Sequence, residues 1–370
     1  MKKLRILWLL PLFALASCQE EELITEQNTV QTNSAILKAA GSGWVTVTSS
    51  CTAPSSNLEF YGVTNNTVNR TDLSDANNGM VGWKLVDALS DEFDYPAGKS
   101  ASIFNTKWKL GFVNDYTGPA PTKWTGSQVT FETISGTNRA IVLKAVKSGT
   151  DLLCGMLTSY AASTFPLYQE VKVKVSNSQL ANAVWMISND QQQLEEIDNL
   201  EAYGPSVRSN GTPVAKPWYS NKLHLSHHTF KYISGVRKDY QPQESTWMMR
   251  RTGDCSTGVV NWNDTYHILG VKWESATKLI YYVDGIKVKT VTVGTEGIDP
   301  LSYTQYGGLY KEMCMVISQA AQTWRYGGET EFWNSGDDIV GDNTKMYIDW
   351  IKVYTPSGQI NKSTKTYTRI

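Results

Sequence analysis

From residue 44 onward, apolar or β-branched residues alternate with polar ones in short runs. The stretches "WVTVTSS" (44–50), "QVTFETI" (128–134), "AIVLKAV" (140–146), "LYQEVKVKV" (167–175), "YHILGVKWE" (266–274), "LIYYVDGIKVKTVTV" (279–293) and "MYIDWIKVY" (346–354) carry this pattern. A period of two sends alternate side chains to opposite faces, so each run predicts a half-buried strand. In the longest, Asp284-Gly285 separates two alternating arms and predicts a hairpin with a two-residue turn. No stretch beyond the N-terminal segment sustains a helical period. Many short strands joined by turn residues predict an all-β fold, a β-sandwich of about 280 residues in one domain. Residues 51–81 are rich in Asn, Ser and Thr and poorly patterned. They leave 44–82 as an N-terminal extension of the 44–370 domain, either an added strand pair or a packed loop.

The first residues follow a different pattern. Lys2, Lys3 and Arg5 precede an apolar run over 6–15, too short to span a bilayer, and Leu15-Ala16-Ser17-Cys18 ends it. This resembles the bacterial lipoprotein signal, which implies removal of residues 1–17 and acylation of Cys18. Ordinary cleavage beside an incidental cysteine is the alternative. Residues 18–43 are polar and open on Glu20, Glu21 and Glu22, which reads as a flexible tether. The expectation is an exported lipoprotein on the outer membrane, facing the cell surface and held stably where several acyl chains insert.

Charge narrows the partners. With 34 basic and 35 acidic residues, the formal net charge of −1 gives no basic excess for nucleic acid and no acidic tail. The chain is read as a monomer. Its 13 Trp and 19 Tyr are unusual, and the flat face of Trp serves both cores and sugar stacking. Apart from Cys18 there are Cys51, Cys154, Cys255 and Cys314, none with metal-ligand spacing. Three pairings are open to them, and at least two are expected to be plain buried thiols.

Within the predicted domain, acidic residues cluster in "QQQLEEIDNLEAYG" (191–204). Glu196 and Asp198 share a face of a strand, but unbroken alternation would put Glu201 on the other. One extra residue, a β-bulge, returns Glu201 to the face of the first two and leaves Ile197 and Leu200 for the core. Three adjacent carboxyls titrate together, and like charge makes one of them hold its proton near neutral pH. A carboxylate beside a protonated carboxyl is the requirement of glycoside hydrolysis. Acids close together on one strand favour retention, for which the separation is about 5–5.5 Å. The bland alternatives are a solvated acidic strand or a calcium site.

"EIDNLEAYG" resembles the bulged signature of glycoside hydrolase family 16, the family of laminarinases, agarases and carrageenases. The resemblance runs from "WKLVDALSDEF" (83–93) to "NTKMYIDWIKVYTP" (343–356). It implies a curved, concanavalin-like jelly roll with a substrate cleft on the concave face. It also implies Glu196 as nucleophile, Glu201 as general acid/base and Asp198 as the acid between them, with no cofactor for catalysis. A structural calcium on the convex side is a further implication, with Asp349 as a ligand.

"LHLSHHTF" (223–230), "KDYQP" (238–242) and "QAAQTWRYGG" (319–328) are similar to the branch acting on red-algal galactans, the β-agarases and β-porphyranases. Alternation puts His224, Ser226 and His228 on one face and His227 on the other. Two same-face histidines without a placed carboxylate make a weak metal set, so His224 and His228 are read as sugar contacts. Trp324 and Arg325 are candidates to stack on and anchor a galactose unit, with Trp124 and Trp185 as further candidates. The polysaccharide partner is agarose in the first reading and sulfated porphyran in the second; "YISGVRKDYQP" departs from the usual agarase loop and leaves the choice open, and a basic group would have to accommodate the sulfate. A surface glycan-binding lipoprotein without activity is the reading from another class; it has no need of three aligned acids.

Overall fold

Each alternating run that falls within the described residues is a strand. The computed structural model describes residues 59–60, 83–190, 193–215, 217–220, 222–242, 247–251, 262–263, 265–283, 286–335, 339–356 and 364–366. The signal, the tether with Cys18, most of 44–82, Cys51, Cys255 and the Asp284-Gly285 turn lie outside the described residues. The arms of that hairpin, Lys278–Val283 and Ile286–Thr292, pair antiparallel with Val283 opposite Ile286, the register of a two-residue turn.

Two antiparallel sheets make the sandwich. One runs, in spatial order, through Trp247–Arg251, Lys222–Ile233, Glu195–Ala202, Ala181–Ser188, Met313–Ala320 and Met156–Ser163. The other runs through Ile286–Thr292, Lys278–Val283, His267–Ser275, Leu167–Lys174, Met346–Pro356, Asn138–Leu143 and Val129–Ser135. Inward-pointing residues of both sheets share one core. From the acid-bearing sheet come Val184, Met186, Ile197, Leu200, Leu223 and Leu225; from the other come Val171, Leu269, Val271, Ile348 and Ile351. Alternation therefore leaves the opposite face of the first sheet to carry polar chemistry.

Patterning did not reveal the small sheet of Thr122–Trp124, Asp151–Cys154 and Ala145–Ser148, in which the first two strands run parallel. It also missed two six-residue helices, Ser102–Lys107 and Glu329–Asn334. Both are shorter than two turns, so a helical period has no room to show. Cys154 and Cys314 are buried free thiols, as expected of two of the cysteines.

Candidate active site

The acidic strand Glu195–Ala202 is bulged where its spacing requires. Against Ala181–Ser188, Asp198 lies opposite Trp185 and Leu200 opposite Val184, so Asn199 has no counterpart. On the other side Asp198 faces Ser226 and Glu201 faces His224, three residues of one strand against two of the next. The bulge brings Glu196, Asp198 and Glu201 to one face, where His228 of the neighbouring strand meets the first two and His224 the third. The fourth acid, Glu195, points the other way and accepts the backbone N–H groups of Tyr310 (2.6 Å) and Lys311 (2.8 Å). Burial, only partly offset by those bonds, pushes its carboxyl up to about 7.

Glu196, Asp198 and His228 form a cluster whose ligand atoms lie within 4.8 Å of one another. His228 Nε2 is 3.4 Å from Asp198 Oδ2 and 3.8 Å from Glu196 Oε1, while Nδ1 is 3.0 Å from Asp239 Oδ1. Asp239 reaches His228 because Lys222–Ile233 folds back as Val236–Tyr240 through Ser234-Gly235, both with positive φ. The His228 ring stacks on Phe230 at 5.4 Å, and the Arg237 guanidinium covers Phe230 at 4.2 Å. Burial, then the charge of Asp198, holds the Glu196 carboxyl well above the usual range; Asp239 adds to this, and His228 and Arg237 offset only part. Glu196 is thus the acid of the row that keeps a proton.

Glu201 has the opposite surroundings. Its Oε2 is 2.7 Å from His224 Nδ1, and its Oε1 accepts from the Tyr203 hydroxyl at 2.5 Å and the Gln322 amide at 3.1 Å. Burial alone would raise its carboxyl, but the bond and charge of His224, then Tyr203 and His228, bring it down to about 2. The Gln322 orientation is set by Trp324, whose indole N–H donates to Gln322 Oε1.

The proposed sugar contacts fare differently. Trp185, opposite Asp198, stacks on Phe112 at 5.7 Å and donates to Ser318 Oγ at 3.1 Å. Trp124 lies beside the same Phe112 at 5.4 Å and donates to the Gln319 carbonyl. Both rings stay partly exposed. Trp324 is partly exposed beside the acid site, its ring edge-on to Tyr219. His224 and His228 share the acid-bearing face as alternation predicted, with His227 fully buried on the other. Their ring nitrogens, however, engage Glu201, Glu196, Asp198 and Asp239, so their first partners are the acids and not a sugar.

Arg325 requires a correction. It is 1% exposed, its guanidinium bonded to the Gln179 carbonyl and side chain and laid on the Tyr203 ring at 3.7 Å. It sits behind Tyr203 and cannot anchor a galactose unit. Asp349 is corrected as well. Its carboxylate meets Lys172 Nζ at 2.6 Å and accepts from Asn138 Nδ2 at 3.2 Å. A calcium ion needs six to eight oxygen ligands, and an ammonium group already occupies this carboxylate, so Asp349 does not fit a calcium ligand.

Tyr203, Gln322 and Asp239 were missed. Tyr203 stands two residues beyond Glu201, just past the end of the strand, so its proximity was open to alternation; Asp239 arrives through the hairpin at Ser234-Gly235, and Gln322 arrives by long-range folding with no local signal.

The profile of the GH16 domain of β-porphyranases A–D matches residues 83–356. A β-agarase of Phocaeicola plebeius is 37% identical over 296 residues, covering 76% of this chain and 87% of that protein. A β-agarase of Microbulbifer thermotolerans is 36% identical over 278 residues, covering 74% of this chain but only 59% of that longer protein. Among solved structures, β-agarase A in complex with oligoagarose superposes with a TM-score of 0.62 at 31% identity, covering 75% of this chain and 94% of that one.

Proposed function

The chain belongs to glycoside hydrolase family 16, and from that premise we propose that it is an endo-acting, retaining β-agarase. It cuts β-1,4-galactosidic links of agarose by double displacement. The observation that carries this reading is the bulge at Asn199, which aligns three carboxyls on one face; the agarase relatives supply the substrate class.

Glu196 attacks the anomeric carbon and Glu201 protonates the departing oxygen; Glu201 then takes a proton from the water that opens the glycosyl ester. Burial, then the charge of Asp198 beside it, gives Glu196 its high affinity for a proton. Glu196 must give up that proton to attack, and the charge of His228, whose Nε2 lies 3.8 Å from Glu196 and 3.4 Å from Asp198, favours the ionised form. Trp185 and Trp124, with Phe112 between them, offer apolar faces to the sugar chain.

Porphyran is the second reading. Arg237 is exposed at the edge of this face, and its charge reaches Glu196, so a substrate sulfate has a cation to meet there. Reducing-end assays on agarose, porphyran and laminarin decide. Release from agarose supports the first reading, release from porphyran alone the second, and a preference for laminarin contradicts both. A glycan-binding protein without activity would release nothing from any of them.

The N-terminal reading joins this proposal: Cys18 carries the lipid that holds the domain at the outer-membrane surface. Cys18→Ala should move the protein from the membrane fraction to the soluble one with turnover unchanged. A wild-type protein that is soluble and unacylated in a lipoprotein-processing host contradicts it.

A further inference from the structure

Glu201 raises a difficulty for any mechanism in which it donates a proton. A carboxyl held down to about 2 is ionised in the resting protein at neutral pH, and a bare carboxylate has nothing to give. The hydrogen bonds around it show where the proton is kept.

The indole nitrogen of Trp324 can only donate, so the Gln322 oxygen it contacts is the acceptor and the Gln322 nitrogen faces Glu201 Oε1 as a donor. Tyr203 places its hydroxyl on the same oxygen at 2.5 Å. With two donors aimed at Oε1, a proton on the carboxyl belongs on Oε2. There it meets His224 Nδ1 at 2.7 Å, the length of a charge-assisted bond. Along that line one proton is either O–H···N or O⁻···H–N. We propose that His224 is the proton-holding partner of Glu201, so that the acid/base of this site is the Glu201–His224 pair and not Glu201 alone.

This inference rests on the assignment of Glu201 as acid/base. In the first step the His224 Nδ1–H bond breaks and its proton passes to Glu201 Oε2. The Oε2–H bond then breaks as the glycosidic oxygen takes the proton and leaves with the electron pair of its bond to carbon. In the second step, water gives its proton to Oε2 as its oxygen bonds to the anomeric carbon and the bond from that carbon to Glu196 breaks, its electron pair returning to the carboxylate, and the proton returns to Nδ1. Protons balance over the cycle. The other groups bearing on the pair are Tyr203, His228 and, behind Tyr203, Tyr219 and Arg325. Arg325, buried against the Tyr203 ring, keeps that hydroxyl on Oε1 and so keeps Oε2 for the proton. His224 acts through Glu201 and is a positioning residue, though the proton is one of the reacting atoms.

His224→Asn tests this, because the Asn amide reaches the place of Nδ1 and donates a hydrogen bond but cannot take up a proton. Two sites sharing a proton retain it to higher pH than either alone. The alkaline limb of kcat/KM should therefore move down by about one pH unit or more, and kcat on galactan should fall roughly 100-fold with little change in KM. An oligosaccharide with a dinitrophenyl leaving group, which needs no proton, should lose less than about threefold in its first step. An unmoved alkaline limb, or equal losses on both substrates, overturns the proposal by making His224 structural only. Glu201→Ala runs beside it. A silent His224→Asn next to a dead Glu201→Ala overturns this inference alone, whereas a fully active Glu201→Ala overturns the acid/base assignment and this inference with it. Should His224→Asn fail to fold, 15N NMR of the wild-type and Glu201→Gln proteins reads the same coupling. The His224 titration should fall by a pH unit or more when Glu201 is neutralised, and an unchanged titration overturns the proposal.

Discussion

The side chain of Asn199 donates to the backbone carbonyl of Leu269 at 3.1 Å, tying the one unpaired residue of the acidic strand to the facing sheet. The bulge is thus anchored through the core and is not a slack in the strand. Asn199→Ala should keep the register and most of the activity while losing about 1 kcal/mol of stability, read as a fall of a few degrees in Tm. Inserting one alanine after Asn199 moves Leu200 and Glu201 on by one place and, with the single-residue bulge kept, turns Glu201 toward the core. The insertion should leave a β-rich protein by circular dichroism with turnover below 0.1% of wild type, about the loss expected for a missing acid/base. Substantial activity in the insertion variant would remove the bulge from the account.

The two catalytic acids should respond oppositely to neutralisation. Burial and neighbouring negative charge raise Glu196, so the folded state prefers its proton and carries a penalty at neutral pH. Glu196→Gln should raise Tm at pH 7, with the gain shrinking as pH falls toward the ordinary carboxyl range. Glu201, brought down from 4.5 to about 2, contributes stability that is present above pH 4.5 and lost as pH falls through about 2. Glu201→Gln should cost up to roughly 3 kcal/mol at pH 7. Calorimetry on both variants from pH 3 to 8 checks the signs, and like signs would contradict the charge arrangement.

The chemistry was more legible in the sequence than its surroundings. Glu196, Asp198 and Glu201 could be aligned because a strand has a fixed period and a bulge is a one-residue correction to it. The division between His227 and its neighbours followed from the same rule. Arg325 was misread because an Arg beside a Trp on a loop gives no local sign of the Gln179 and Tyr203 groups that bury it. Asp349 was misread for a similar reason: its partner Lys172 lies on the adjacent strand Leu167–Lys174, 177 positions away in sequence, and only pairing of the strands brings them together. Periodicity tells which face a side chain takes, but not what meets it there.

Behind the acid-bearing sheet, Lys289 is half-buried and donates to the Leu225 carbonyl at 2.9 Å, and the desolvation of its ammonium lowers it to about 7. A base depressed in the folded state destabilises below that pH, and the penalty fades as pH rises toward its ordinary value of 10.5. Lys289→Met should therefore raise Tm, by roughly 1–4 kcal/mol of stability at pH 6, with the advantage narrowing from pH 7 to 10. An advantage that grows with pH would show that Lys289 is charged and paired in the folded protein.

The central claim is a two-step displacement in which Glu196 attacks and Glu201 assists from the other face of the sugar. Proton NMR of agarose digestion, recorded in the first minutes before mutarotation, tests it most directly. The new reducing ends should appear first as the β-anomer, with the α-signal growing in later. If the α-anomer appears first, water attacks in a single step, and Glu196 is not the nucleophile of this site.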